Sequence, residues 1–224
     1  MKKLLFGSAI LSLFLFSCSK DDSTPSPAEK YMSITAGSTW NYSVTDLITA
    51  ANSYTYTQTS TNRDTTAGGK TYHVFTNSSG GNDYYSITGN DYYTLQTLPL
   101  GVTDTILENL YLKDNVATGN SWSQTYSLNF GIPVDVTVTN KINASGLSKT
   151  VGSTAYSNVI DVVTTISAPT ILAIPGSSLT TDIHSYYAPK VGMIQTDAKV
   201  DIVVTGLIDQ HVNTQTKLTS ATIL

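Results

Sequence analysis

From residue 40 onward, apolar and polar residues alternate with a period of two, the spacing of a strand with one buried and one wet face. Trp40, Tyr42 and Val44 fall on one side of such a strand, and Asn41, Ser43 and Thr45 on the other. Tyr54 and Tyr56 alternate with Thr55 and Thr57, and Arg63 to Gly69 reads as a hairpin loop. Tyr72 to Thr76 returns, Gly80-Gly81-Asn82 turns, Tyr84 to Thr88 runs on, and Gly89-Asn90 turns tightly into Tyr92 to Leu98. Further strands are predicted over 106–113, 122–130, 134–142, 156–166, 199–204 and 217–224, with 168–181 as the longest loop. Strands with one apolar and one Thr/Ser face belong to antiparallel sheets solvated on one side. About ten of them joined by short turns predict an all-β fold: an antiparallel curved sheet, a sandwich or a partly open barrel.

The pattern also echoes itself. Gly37-Ser38-Thr39-Trp40 returns as Gly119-Asn120-Ser121-Trp122, and each is followed by a Gly-containing turn and a Tyr-bearing strand (Tyr72, Tyr156). Each part then carries a tyrosine pair, Tyr84-Tyr85 or Tyr186-Tyr187. Two related half-sheets about a pseudo-twofold axis, with both tryptophans in a shared core, would produce this echo.

The N-terminal residues break the alternation. Lys2 and Lys3 precede an apolar run from Leu4 to Phe16, and Leu15-Phe16-Ser17-Cys18 sets a small residue directly before the chain's one cysteine. The run is shorter than the ~20 apolar residues that span a bilayer, so it is a targeting segment that stays outside the fold. The stretch resembles the lipobox of a bacterial lipoprotein signal. That implies a signal peptide over 1–17 and a membrane partnership through acyl chains, such as palmitate, on Cys18. Each buried CH₂ contributes about 0.8 kcal/mol, so several chains anchor durably where one does not. Ser19-Lys20-Asp21-Asp22 resembles the acidic export signal of surface lipoproteins of the Bacteroidota, which implies the outer membrane and the cell surface. Ser23-Thr24-Pro25-Ser26-Pro27 continues as a Ser/Pro leash, giving a lipidated tether over 18–31 and a single β-domain over 32–224.

Composition narrows the partners. The formal net charge is −4, and −6 without Lys2 and Lys3, with no Lys/Arg cluster, which argues against nucleic acid as a partner. Charged residues make up only 12%, about half the usual share, so solubility rests on Ser, Thr and Asn. With one cysteine there is no disulfide.

Two segments resemble a type of secreted β-domain found among uncharacterised Bacteroidota lipoproteins. One is Gly37-Ser38-Thr39-Trp40-Asn41-Tyr42; the other is Tyr186-Tyr187-Ala188-Pro189-Lys190-Val191-Gly192-Met193-Ile194, where such domains usually carry glycine in place of Lys190. The resemblance implies a fold type and an envelope location, and no catalytic residues.

Candidate chemistry is sparse. His73, His184 and His211 are far apart in sequence, and no stretch matches a metal or calcium-loop spacing, so neither metal nor cofactor is expected. Asp197, Asp201 and Asp209 can meet across a hairpin, where turn formation is the simpler role. There is no G-x-S-x-G elbow, and His184 and Ser185 are strand neighbours pointing to opposite faces. Glu108 is the one glutamate available for paired-carboxylate chemistry. The reading is therefore not an enzyme.

The 14 tyrosines are more telling. Asp83-Tyr84-Tyr85-Ser86 and Asp91-Tyr92-Tyr93-Thr94 repeat across the Gly89-Asn90 turn, so one ring of each pair faces inward and one outward. Tyr84 or Tyr85 beside Tyr92 or Tyr93 would form an aromatic ledge of the kind that binds sugars or proteins; the alternative is cross-strand packing alone. Asp64-Thr65-Thr66 and Asp104-Thr105-Ile106, like Asp22-Ser23-Thr24, resemble the Bacteroidota O-glycosylation acceptor pattern, which marks Thr65 and Thr105. The expected function is a surface-exposed binding or interaction module for a glycan or protein. The alternative is a periplasm-facing lipid carrier or envelope-structural lipoprotein, and a carrier requires an interior cavity.

Overall fold

The computed structural model of the chain describes residues 29–96, 106–129, 133–206 and 208–224. Its strands are β1 (Thr39–Asp46), β2 (Tyr54–Ala67), β3 (Lys70–Asn77), β4 (Asn82–Thr88), β5 (Asp91–Gln96), β6 (Leu107–Lys113), β7 (Ser121–Asn129), β8 (Pro133–Val151), β9 (Thr154–Ser167), β10 (Ser178–Ala188), β11 (Gly192–Val204) and β12 (Ile208–Thr222), with a single 3-10 turn at Ala50–Asn52 and one short α-helix, α1 (Pro169–Leu172). All twelve belong to one antiparallel sheet in the order β6-β5-β4-β3-β2-β1-β12-β11-β10-β9-β8-β7. The sheet curls until it is nearly closed, as a barrel. The first six strands form one meander, the last six another, and the β1–β12 ladder joins them from Thr39↔Thr222 to Asp46↔Thr214.

The second junction, between β6 and β7, is made by side chains. Leu110 N donates to Gln124 Oε1 at 2.6 Å. Leu110 O accepts from Trp122 Nε1 at 2.6 Å and from Asn140 Nδ2 at 3.0 Å, and Tyr126 Oη donates to Glu108 O at 2.6 Å. These bonds satisfy the backbone that an edge strand would leave bare. Leu110 is buried, so an orphaned amide there costs about 1–3 kcal/mol. Gln124→Leu is therefore expected to lower stability by that amount in urea unfolding and to speed hydrogen exchange at the Leu110 amide. Trp122→Phe should be milder, because Asn140 still serves the Leu110 carbonyl.

The two meanders begin alike. Gly37 N donates to Ser60 O, Ser60 N to Ser38 O and Ser38 N to Thr35 O; Gly119 N donates to Ile142 O, Ile142 N to Asn120 O and Asn120 N to Ala117 O. Every position in the second set lies 82 residues after its counterpart (Gly37 to Gly119, Ser60 to Ile142). Gly37 and Gly119 both hold positive φ, +89° and +90°, which a side chain resists. The following tryptophans keep the relation: Trp40 Nε1 donates to Val191 O at 2.7 Å as Trp122 Nε1 does to Leu110 O.

Inward residues of the two meanders meet across the interior. Trp40, Tyr42 and Phe75 pack on Val151, Val159, Ala188, Ile194 and Leu218, and Tyr92 and Leu112 pack on Ile142, Ile160, Val162 and Tyr187. A third cluster runs from Leu128, Val136 and Val138 to Val200 and Ile202, with Ile171 of α1 against it. Both tryptophans face inward as the echo predicts, Trp40 buried and Trp122 partly so against the second cluster.

Two predicted loops are regular structure. The 63–69 segment is strand to Ala67, paired Asp64↔His73 to Ala67↔Lys70, with the irregularity between Ser60 and Asp64 and the turn confined to Gly68-Gly69. Residues 168–181 hold α1 and the start of β10. The chain before β1 is docked as well: Lys190 N donates to Lys30 O at 2.6 Å, and Tyr31 N donates to Tyr92 Oη at 2.9 Å.

Candidate functional site

Between the two meanders the packing leaves a cavity of about 300 Å³, lined by residues of ten strands and by Met32 from the segment before β1. One wall is aliphatic, with Val138, Ile166, Ile183, Ala198, Val200 and Val212. The other carries Tyr42, Gln58, Tyr85, Thr94, Asn109 and Tyr111, with Tyr187 beside them. Inward polar residues on period-two strands build this second wall. Tyr85 pairs with Thr94 across β4 and β5, so both point to the same side.

The tyrosines hold one another. Tyr111 lies 6.2 Å from Tyr85 and 5.4 Å from Tyr187, ring centre to ring centre. Tyr42 stacks on Tyr56 at 5.0 Å and donates its hydroxyl to Met193 O at 3.0 Å. Gln58 Nε2 donates to Asp83 Oδ2 at 2.6 Å and to Tyr85 Oη at 3.2 Å. Burial, reinforced by neighbouring tyrosines, pushes the hydroxyls of Tyr42 and Tyr111 well above the ordinary tyrosine value. Burial also raises Tyr85 and Tyr187 strongly. All four are thus neutral donors or acceptors throughout the physiological range.

Most interior amides are satisfied. Thr164 Oγ1 donates to Asn140 Oδ1 at 2.6 Å while Asn140 Nδ2 serves the seam. Asn109 differs: it is 8% exposed, lines the cavity, and its Oδ1 has no hydrogen-bond partner among the described residues.

The sequence-predicted tyrosines divide. Tyr85 lines the cavity. Tyr92 has no exposed surface, and its hydroxyl accepts from Tyr31 N and donates to Asp114 Oδ2 at 2.6 Å. Neither contributes to an exposed ledge. Tyr84 and Tyr93 are half-buried on the opposite face. The Tyr93 ring is covered by the Lys70 ammonium, 3.1 Å from its centre. Lys70 also pairs with Glu108 at 2.9 Å, and Tyr72 donates to the same carboxylate. Burial pushes the Glu108 carboxyl up, but the bonds from Tyr72 and Lys70 outweigh it and hold it below its ordinary value. Thr65 stands in β2 opposite Tyr72, while Cys18 and Thr105 lie outside the described residues.

One constellation has the outline of nucleophilic catalysis. Ser60 Oγ lies 3.0 Å from His73 Nε2, and His73 Nδ1 lies 2.8 Å from Asp64 Oδ1. The serine is 1% exposed and donates its proton to Ile34 O at 2.9 Å, so neither substrate nor base can use it. The other histidines also meet aspartates. His184 Nδ1 is 3.0 Å from Asp161, and His211 lies 2.8 Å from Asp201 and 3.0 Å from Asp209. Asp201 and Asp209 thus converge on a histidine, whereas Asp197 accepts from Gln195 and Gln215. Among the described residues, no three His, Cys, Asp or Glu side chains are grouped to hold a metal ion.

No family model matches the chain, and no curated protein matches it. Among solved structures, the chain is similar to a candidate lipoprotein from Parabacteroides distasonis ATCC 8503, with 14% identity over 87% of this chain and 99% of that one and a TM-score of 0.48.

Proposed function

We propose that this protein is a lipid-anchored envelope binding protein that holds a small molecule inside its barrel. The observation that carries the reading is the two-walled interior cavity, a binding volume at the low end of ligand sites. Acylation of Cys18 supplies the anchor and the acidic Ser19–Asp22 stretch the surface address. No helix among the described residues is long and apolar enough to cross a membrane, which fits attachment through lipid. The cavity favours an interior ligand over a ledge-bound glycan, since Tyr85 and Tyr92 point inward.

Organic extraction of the protein purified from its native envelope, followed by mass spectrometry, tests this. Native protein should release close to one equivalent of a small molecule, and Ala198→Trp, which fills the cavity from β11, should release none. Identical extracts from the two would overturn the reading.

A further inference from the structure

The lining of the cavity is drawn out along the strands. On β11 it runs from Gly192 to Val200, a stretch of about 25 Å at ~3.3 Å per residue. Gly192 has no side chain to lean inward, so its backbone fixes one end. The volume is about 300 Å³, and an engineered cavity of ~150 Å³ holds one benzene ring, so over such a length the space is a narrow channel. One end is covered. Trp40 and Gly192 are buried there, Met32 joins the lining, and a Cβ on Gly192 would stand 3.4 Å from Tyr31 O. At the other end Val200 pairs with Val212, and Gln96, which closes β5, is an exposed lining residue. Gln96 pairs with Leu107, which packs on the cluster that holds Val200, so the channel opens at this end.

The mouth has an apolar rim. Leu47, whose amide donates to Asn213 O beside Val212, is exposed there with Ile48, as are Ile106 next to Leu107 and Leu172 of α1. Inside, no Asp, Glu, Lys, Arg or His lines the cavity, so a charge carried in would lack a counter-charge. Several polar groups of the lining are already engaged by the protein: Gln58 with Tyr85, Tyr42 with Met193 O, Thr164 with Asn140, and Ser185 with Thr196. Hydrocarbon can lie along them without breaking those bonds.

Resting on the reading of the cavity as a ligand site, we infer that its occupant is a single-chain amphiphile, with the hydrocarbon chain along the channel and the polar head at the Gln96 mouth. A narrow channel admits a chain and refuses a bulky cage. Its open end leaves a head of any charge in water, while its interior refuses a second charge. A fatty acid and a single-chain phospholipid share this chemistry, and the mass spectrum of the native extract separates the two sources.

The test uses three probes on the Cys18→Ser protein, which lacks the acylation site and keeps every described residue. These are decanoate (linear, charged at one end), decanedioate (linear, charged at both ends) and 1-adamantanecarboxylate (a cage with one charge), each titrated calorimetrically at neutral pH. Decanoate should bind at least about tenfold more tightly than the adamantane acid. It should bind at least about a hundredfold more tightly than decanedioate, whose second carboxylate would be buried unpaired. Ala198→Trp should abolish decanoate binding. If the cage binds as well as decanoate, or decanedioate does, the chain inference fails while the cavity reading stands. If none of the three binds, the chain inference fails as well, and the cavity reading falls with it if the native and Ala198→Trp extracts are identical. The ratios among the probes decide the matter even if Ala198→Trp does not fold.

Discussion

Trp40→Ala is expected to destabilise the protein by about 3–5 kcal/mol, the usual cost of truncating a large buried aromatic. The indole is 2% exposed and packs on Phe75 with ring centres 5.5 Å apart. It also lines the cavity, so alanine would join its own void to one that already exists and leave little to collapse inward. The Val191 carbonyl would lose its 2.7 Å donor. A stability of about 5–15 kcal/mol is normal for a domain, so this one change removes a large part of it. Urea unfolding followed by circular dichroism measures the loss. The equivalent Trp122→Ala should cost less, because that ring is only partly buried. Equal losses at the two positions would show that the packing difference between the halves has no energetic weight.

Raising the pH should unfold the barrel cooperatively. Tyr42, Tyr85, Tyr111 and Tyr187 all have hydroxyl values raised above 10.0, the value they take when unfolded, chiefly by burial. A raised folded value means that the stability these groups contribute is complete below pH 10 and is lost as pH rises beyond it, because only the unfolded chain then releases the protons. Each such group contributes about 1.4 kcal/mol per pH unit, so four together remove roughly 5 kcal/mol per unit. Against an ordinary stability of about 5–15 kcal/mol, the fold should give way about one to three units above pH 10. Tyrosinate absorbance and circular dichroism should change together. Gradual ionisation of these tyrosines in a barrel that stays folded would show that their hydroxyls reach solvent.

The alternation that begins at Trp40 was enough to read the all-β class and the inward faces of β1 and β8, where large apolar and small polar residues take strict turns. It was poorer where inward residues are themselves polar. Thr94, Asn109 and Thr164 line the cavity, yet in sequence they are indistinguishable from the threonines and asparagines of the wet face, so the cavity was invisible. Strand ends failed for a related reason. Asp64-Thr65-Thr66 has turn-forming composition, but the ladder to β3 overrides it. Gly146, at φ +69°, sits in an irregular part of β8, where the pairing with β9 shifts between Ala144 and Leu147. A bulge absorbs the glycine there, and the strand continues to Val151. The tyrosine pairs split one in and one out, as alternation requires. Which member went inward was set by the register Ile87↔Tyr92 across the Gly89-Asn90 turn, a choice that composition does not encode.

The strand order has a kinetic consequence. Read from β7, the sheet runs β7 to β12 and then β1 to β6, so every ladder except β1–β12 joins neighbours in sequence. Each meander can therefore grow by local hairpin closure, and the one ladder between distant strands is the step with the high loop-closure cost. Leu224 N already donates to Ser38 Oγ at 3.1 Å, which brings the two ends of that ladder together. A circular permutant opened between Lys113 and Ser121 and linked across Leu224 and Ser38 would keep all twelve strands while making every ladder local. Its contact order would fall, and with it the barrier that the natural connectivity sets to folding.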